Sequence, residues 1–412
     1  MAEPILIEPD IQFKKRLLET GGETLNKCFQ CGTCTVACAL SPDAGPFPRK
    51  EVLWAQWGLK ERLMADPDVW LCHQCNDCSQ LCPRGANPGD VLAAVRQNVI
   101  ERYATPGFLA RMIASPRWLP VLFAIPTVLM ALTIWITGGF GAAPEGSSHF
   151  LADGIFSATE DGFKRANFDH FFAHYPIIIF FTGLVGLSLL GLLVGLARYW
   201  KAMEAFVSAP GQLPQGAGNR DLIACAVAAI REILTHKKFR ECEANANRYW
   251  GHLLLFYGFG AMFVTTALAA LCYYTIGYPF SLLHPVKLLG NVGGVVFLVG
   301  LAVVIAERLR AGKLAPRSGY ADWLFLAVIG MTVVTGVVCQ FARLANAPVL
   351  AYSSYFVHLL FVFFLLVYLP YSKFAHLLYR TAALMYCHYC GRETEATIRA
   401  GDRDAIAERP AA

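Results

Sequence analysis

The stretch CFQCGTCTVAC, Cys28 to Cys38, and its echo CHQCNDCSQLCP, Cys72 to Pro83, decide how the rest of the chain is read. Each has the form C-x2-C-x2-C-x3-C, and a proline follows the second. In two-cluster 4Fe-4S sites of this form, three closely spaced thiolates hold one cubane and the fourth reaches the other. By that logic Cys28, Cys31, Cys34 and Cys82 hold one cluster, and Cys72, Cys75, Cys78 and Cys38 hold its neighbour. Clusters that exchange ligands lie close together, which suits electron transfer. Four thiolates also suit tetrahedral zinc, but zinc ribbons pair C-x2-C units over a longer gap than this.

Residues 49 to 65, between the motifs, carry a helical pattern where β-rich ferredoxins have a strand-rich insert. Residues 1–110 therefore read as an all-α ferredoxin domain. The remainder is different in kind. The 412-residue chain is 56% hydrophobic and only 16% charged, too apolar for a water-soluble domain of this length. Its net charge of +5 is spread between apolar segments and not gathered in basic tracts, which speaks against nucleic acid as a partner.

Six stretches, near 118–137, 176–197, 251–276, 290–306, 322–342 and 353–371, are long enough for a hydrocarbon core about 30 Å thick. The expected fold is thus all-α: a ferredoxin domain, a six-helix transmembrane bundle over 111–385, and a tail over 386–412. The first 25 residues are polar and show no cleavable signal, so the N-terminal domain is expected in the cytoplasm. The connecting segments agree. Arg198, Lys201, Arg231, Lys238, Arg308 and Arg317 fall in loops on that side, against Lys164, Arg165, Lys287 and Arg343 on the other. In a reducing compartment clustered thiols point to metal and not to disulfides. The segment 221–250 alternates apolar and basic residues at helical spacing and is expected along the inner membrane surface or against a soluble partner.

Histidines near the ends of the spans need a reason, since ionisable groups in a bilayer are uncommon and functional. His358 and His376 are 18 residues apart, about five helical turns, so on one continuous helix both share a face about 27 Å apart. Topology places His252 level with His376 at the inner surface and His174 level with His358 at the outer one. Two imidazoles at matching depth are what a b-type haem needs for its axial positions. The expected sites are an inner haem on His252 and His376 and an outer one on His174 and His358. His149, His170, His236 and His284 read as interfacial side chains, and His73 and His388 as incidental. Cys225, Cys242, Cys272 and Cys339 read as apolar fillers, while Cys387 and Cys390 form a C-x2-C of open meaning.

On these residues the first 110 positions resemble the C subunit of heterodisulfide reductase. NRYWGHLLLFYGFGAMF and FVHLLFVFFLLVYLPYSKFAHLLY resemble two haem helices of the γ subunit of respiratory nitrate reductase. The fusion is similar to the QmoC family, membrane subunits of quinone-interacting oxidoreductases. That resemblance implies electron exchange between membrane quinol and soluble QmoA- and QmoB-like flavin and iron–sulfur subunits, with adenylylsulfate reductase beyond them. It implies two 4Fe-4S clusters and one or two haems b in the cytoplasmic membrane. The nitrate reductase pattern has a second histidine where this chain has Met262, so that Met262 or His174 completes the outer site or the outer haem is absent. Two other readings stand beside it: a menaquinol:thiol oxidoreductase subunit of heterodisulfide or Dsr type, and a redox sensor or anchor without turnover.

Overall fold

The computed structural model describes residues 8–41, 45–136, 168, 172, 174–207, 221–236, 238–239, 246–275, 281–310 and 317–391. Residues 138–167 and 209–220, with Cys242, His149, His170 and the tail beyond 391, lie outside them. All regular structure among the described residues is helical.

The N-terminal part is a run of short helices: α1 (Ile11–Glu19), α2 (Thr33–Val36), α3 (Arg49–Gln56), α4 (Lys60–Ala65), α5 (Asp68–Leu71), α6 (Asp77–Gln80) and α7 (Pro88–Tyr103). Asp10 starts α1 by accepting the Phe13 amide at 2.8 Å, so the helix begins where one of its orphan donors is satisfied. Helices α3 and α4 fill the stretch between the cysteine motifs, as its pattern predicts. Lys50 lies on α3 against three buried carboxylates, Glu51, Asp66 and Asp68, at 3.1, 3.3 and 2.8 Å. Burial works against its charge, yet Asp66, Asp68 and Glu51 hold its pKa well above the ordinary value.

After α8 (Gly107–Ile113), six helices among the described residues are long and apolar enough to cross a bilayer: α9 (Leu119–Ile136), α10 (His174–Val207), α12 (Ala246–Thr275), α13 (Pro285–Arg310), α14 (Tyr320–Leu344) and α15 (Pro348–Val367). Proline sits inside α9, and its missing N–H leaves the Leu122 carbonyl without a helical partner. Tyr368 supplies one, donating its hydroxyl to that carbonyl at 3.2 Å. Helices α12 and α13 touch backbone to backbone. A Cβ on Gly258 would come within 2.6 Å of the Phe297 nitrogen, and one on Gly300 within 2.5 Å of the Leu255 nitrogen. Small residues give membrane helices this close approach.

One expectation fails in an informative way. His358 and His376 do not share a helix: α15 stops at Val367, two 3-10 turns follow at Leu369–Tyr371 and Lys373–Ala375, and α16 (His376–Tyr389) begins anew. Pro370 cannot pair with the Leu366 carbonyl. Ser188 on α10 takes over, donating to the carbonyls of Leu366 and Val367 at 3.3 and 2.8 Å. The shared-face argument therefore does not hold.

The two halves share one apolar core. Trp70 from α5 stacks on Tyr379 of α16 at 5.7 Å, Tyr379 meets Tyr199 of α10 at 5.6 Å, and Tyr199 meets Tyr103 of α7 at 5.3 Å. Trp70, Tyr199 and Tyr379 are fully buried, and each contributes on the order of 1.5–3 kcal/mol by leaving water. The amphipathic helix α11 (Leu222–Thr235) buries Cys225 and Ala229 on the α16 side and exposes Ile223, Val227 and Ile230 on the other.

Candidate functional site

The two cysteine motifs fold as one device used twice, 44 residues apart. Gln30 and Gln74 both adopt positive φ, and Gly32 and Asn76, two residues further on, do the same as they cap α2 and α6. This chain reversal turns amides inward. The Gln30 amide donates to Cys28 Sγ at 3.4 Å, and the Gln74 amide to Cys72 Sγ at 3.2 Å. Hydrogen bonds to sulfur are one of the levers by which a protein sets a cluster's potential.

Each motif is also braced at the carbonyl of that glutamine. Arg49 Nε donates to Gln30 O at 3.0 Å, and Arg248 donates to Gln74 O. The difference lies in where the arginine comes from. Arg49 belongs to the N-terminal helices, whereas Arg248 opens the third membrane helix. Two more guanidinium groups secure the second motif: Arg96 reaches Val69 O at 2.9 Å and Cys72 O at 3.1 Å, and Arg380 on α16 reaches Cys72 O at 3.4 Å.

Burial pushes the Cys34 thiol up to about 11, with Cys28 and Cys31 adding to the rise. Cys38 is pushed up to about 12, and its contributing neighbours are Cys72 and Cys75. Cys78 rises too, under Cys72, Cys75 and Cys38. Cys38 thus stands among the thiols of the second motif. The turn holding Cys82 lies beside the first, with Arg84 3.9 Å above the Phe29 ring. Buried thiols crowded in this way do not ionise alone; bound iron supplies the charge that makes them thiolates, so the donor set fits iron–sulfur ligation. Exposed Cys31 differs, the Thr33 hydroxyl holding its thiol below the ordinary value.

His73, read from sequence as incidental, proves to be the joint between the two halves. Its Nε2 accepts from Arg380 Nη2 at 2.6 Å, and burial and then Arg380 hold its pKa well below the ordinary histidine value. A neutral ring is required for that acceptance. On its other side Phe239 meets His73 edge-on at 5.2 Å and stacks on His252 at 5.6 Å. The run Cys72, His73, Phe239, His252 is therefore contiguous in space. Arg380 engages Leu71, Cys72 and His73 together.

The membrane histidines are anchored by Nδ1. His252 Nδ1 lies 3.2 Å from His236 Nε2, His376 Nδ1 is 2.6 Å from Lys373 O, and His358 Nδ1 is 3.1 Å from Thr335 Oγ1. Each keeps Nε2 for another partner, the arrangement seen in metal-bound imidazoles, and this donor chemistry fits axial ligation of a haem. Burial also pulls His376 down to about 4, so it is neutral at physiological pH. His252 lies within electrostatic reach of both His236 and His376. His174 is different. Its ring stacks on Tyr273 at 3.9 Å and its Nε2 is taken by the Tyr274 hydroxyl at 3.1 Å. Met262 is half-buried in the membrane core beside Gly294. Lys373 is half-buried and ion-paired with Asp322.

Fold and thiol geometry together define a membrane-embedded iron–sulfur protein whose dicluster module is fused to a helical bundle. Residues 24–86 match the 4Fe-4S dicluster domain. Residues 170–397 match the family described as Citrate utilization protein B, more than half of the chain, and the chain belongs to that family. The Citrate utilization protein B of Escherichia coli is 23% identical over 408 residues, with 92% of each chain covered. The N-terminal part is 35% identical over 101 residues to the C subunit of the H(2):CoB-CoM heterodisulfide,ferredoxin reductase of Methanothermobacter marburgensis, covering 24% of this chain and 52% of that one. A protein of Archaeoglobus profundus described as like the C subunit of heterodisulfide reductase is 38% identical over 87 residues, 21% of this chain and 46% of its own. The chain thus spans about half the length of these two curated relatives. No solved structure matches it.

Proposed function

We propose that the chain carries electrons between membrane quinol and soluble flavin and iron–sulfur partners of QmoA and QmoB type, with adenylylsulfate reductase beyond them. In this reading it uses two 4Fe-4S clusters and haem b. Cys28, Cys31, Cys34 and Cys82 hold one cluster and Cys72, Cys75, Cys78 and Cys38 the other, while His252 and His376 flank an inner haem. His358 is the protein's ligand at an outer site, with His174 or Met262 opposite. The dicluster module stands on the cytoplasmic face of the membrane. When bound, these groups supply one-electron redox chemistry, and the chain's own residues set their spacing and surroundings.

The observation that carries the reading is the run from Cys72 through His73 and Phe239 to His252. It links the residue next to Cys72 to the imidazole of His252 through two ring contacts, at 5.2 and 5.6 Å. His73 keeps a fixed orientation because Arg380 holds it, and Phe239 lies between the two histidine rings. Neither needs to exchange a proton for an electron to pass.

The test is reduction of the purified full-length protein by a quinol analogue, followed optically for haem and by EPR for the clusters. Haem reduction followed by cluster reduction is expected, with Phe239→Ala slowing only the second phase. Haem that stays oxidised with every quinol tested rejects the reading. A second reading is favoured by the heterodisulfide reductase relatives: a membrane subunit of a thiol-linked oxidoreductase, whose acceptor is a disulfide. Electron delivery to a disulfide substrate, without delivery to a flavoprotein, would select it.

A further inference from the structure

The two thiol sets differ in what surrounds them. The second is enclosed by Arg96, Arg248 and Arg380 and backed by membrane helices. The first opens outward: Cys31 is exposed, and the large apolar side chains beside it are uncovered, Phe29 at 66%, Leu81 at 60% and Val36 at 89%. Helices α4, α5 and α7 make the contacts with α10 and α16, while α2 and α6 pack on each other. This face is therefore turned away from the contacts that join the module to the membrane bundle. It also carries exposed cations. Arg84 lies 3.9 Å above the Phe29 ring, Lys27 precedes Cys28, and Arg49 contributes to the lowered pKa of Cys31. Among the described residues neither Lys27 nor Arg84 is in an ion pair.

We propose that Phe29, Val36 and Leu81, rimmed by Lys27 and Arg84, form the docking face for a soluble redox protein with an acidic surface around its own electron-carrying cofactor. The inference deepens the reading above and rests on it. A small apolar centre gives contact area at the thiol nearest solvent, and the cations select and steer the partner by long-range attraction. Two copies of this chain meeting face to face would bring the same cations together, which disfavours a homodimer here. The placement away from the spans disfavours lipid. One electron crosses per encounter, from the cluster held by Cys28, Cys31, Cys34 and Cys82 to an oxidised flavin or iron–sulfur acceptor, and no bond is made or broken.

The experiment mixes the reduced full-length protein in detergent with an oxidised acidic flavodoxin or with basic cytochrome c, and reads the bimolecular rate against ionic strength. Transfer to flavodoxin should fall by about tenfold or more between low and high salt, and transfer to cytochrome c should not. Lys27→Glu with Arg84→Glu should reverse the preference while the cluster EPR signals stay as in the unaltered protein. If those signals are lost, Lys27→Gln with Arg84→Gln replaces the double reversal, and a weakened salt dependence is expected. The same salt dependence for both carriers overturns the docking face. So does reversal without effect, attachment to phosphatidylglycerol vesicles through Lys27 and Arg84, or a dimer that dissociates in the double variant. Absence of cluster signals in the unaltered protein would defeat the underlying electron-transfer reading instead.

Discussion

His236 Nε2 and His252 Nδ1 lie 3.2 Å apart, one ring ending α11 and the other opening the third membrane helix. His236 adopts positive φ at the end of its helix, and burial lowers its pKa, so it is neutral and can serve as one half of a neutral imidazole pair. His236 Nδ1 lies 3.2 Å from the Leu234 carbonyl and donates to it, so its Nε2 accepts from His252 Nδ1 and leaves His252 Nε2 unprotonated. His252→Ala is therefore expected to remove one b-type absorbance component. His236→Ala should keep that component but weaken haem retention by about 10- to 100-fold, the usual loss when the orienting partner of a ligand is removed. Equal loss in the two variants would show that His236 is itself a ligand.

Arg49 and Arg248 hold equivalent carbonyls in the two motifs, at Gln30 and Gln74. Removing a cation near a cluster makes its reduction harder. Arg248→Gln should lower the midpoint potential of one EPR-visible cluster and Arg49→Gln that of the other. A common shift of both signals in either variant would contradict the pairing of each arginine with one motif. Cys38→Ser should disturb the same cluster as Arg248→Gln, because Cys38 stands among Cys72, Cys75 and Cys78.

The motifs, the all-helical class and the six spans were legible because each depends on local pattern: thiol spacing, helical period and apolar length. What escaped depends on meetings across long sequence distances. His73 and Arg380 are 307 positions apart, and nothing local to CHQC marks its histidine as a joint. The glutamine shared by both motifs, at positions 30 and 74, was the one available sign that the backbone turns there to serve sulfur. Pro370 is visible in the sequence, but a proline alone does not separate a bent helix from a broken one: Ser188, on a different helix, makes the complete break tolerable.

Lys50 is the cation for three buried carboxylates, and its removal leaves them uncompensated. Lys50→Met is expected to destabilise the N-terminal helices by about 3–5 kcal/mol, read as a lower thermal midpoint of the full-length protein. The pH dependence has a definite sign. Folding raises the Lys50 pKa above its ordinary 10.5, so the stabilisation is complete below that pH and fades as pH climbs through the raised value. Glu51, also raised by burial and then by Asp66 and Asp68 after the opposing pull of Lys50, contributes most below its ordinary 4.5. A thermal midpoint that holds or rises above about pH 10.5 would contradict the assignment of Lys50.

Gly336 on α14 faces the His358 ring, and a Cβ there would lie 3.2 Å from its Cε1. Thr335 Oγ1 bonds the neighbouring Nδ1 at 3.1 Å, so the ring cannot swing away from the new methyl without straining that bond. Gly336→Ala should therefore tilt the imidazole and Thr335→Val should free it. If His358 is the outer haem ligand, both changes alter one absorbance component and its midpoint potential while leaving the component tied to His252 unchanged. His174→Ala separates the remaining alternatives. Tyr273 and Tyr274 already occupy that ring, so its loss should leave both components in place, and disappearance of the His358-linked component in His174→Ala would restore His174 as the opposite ligand.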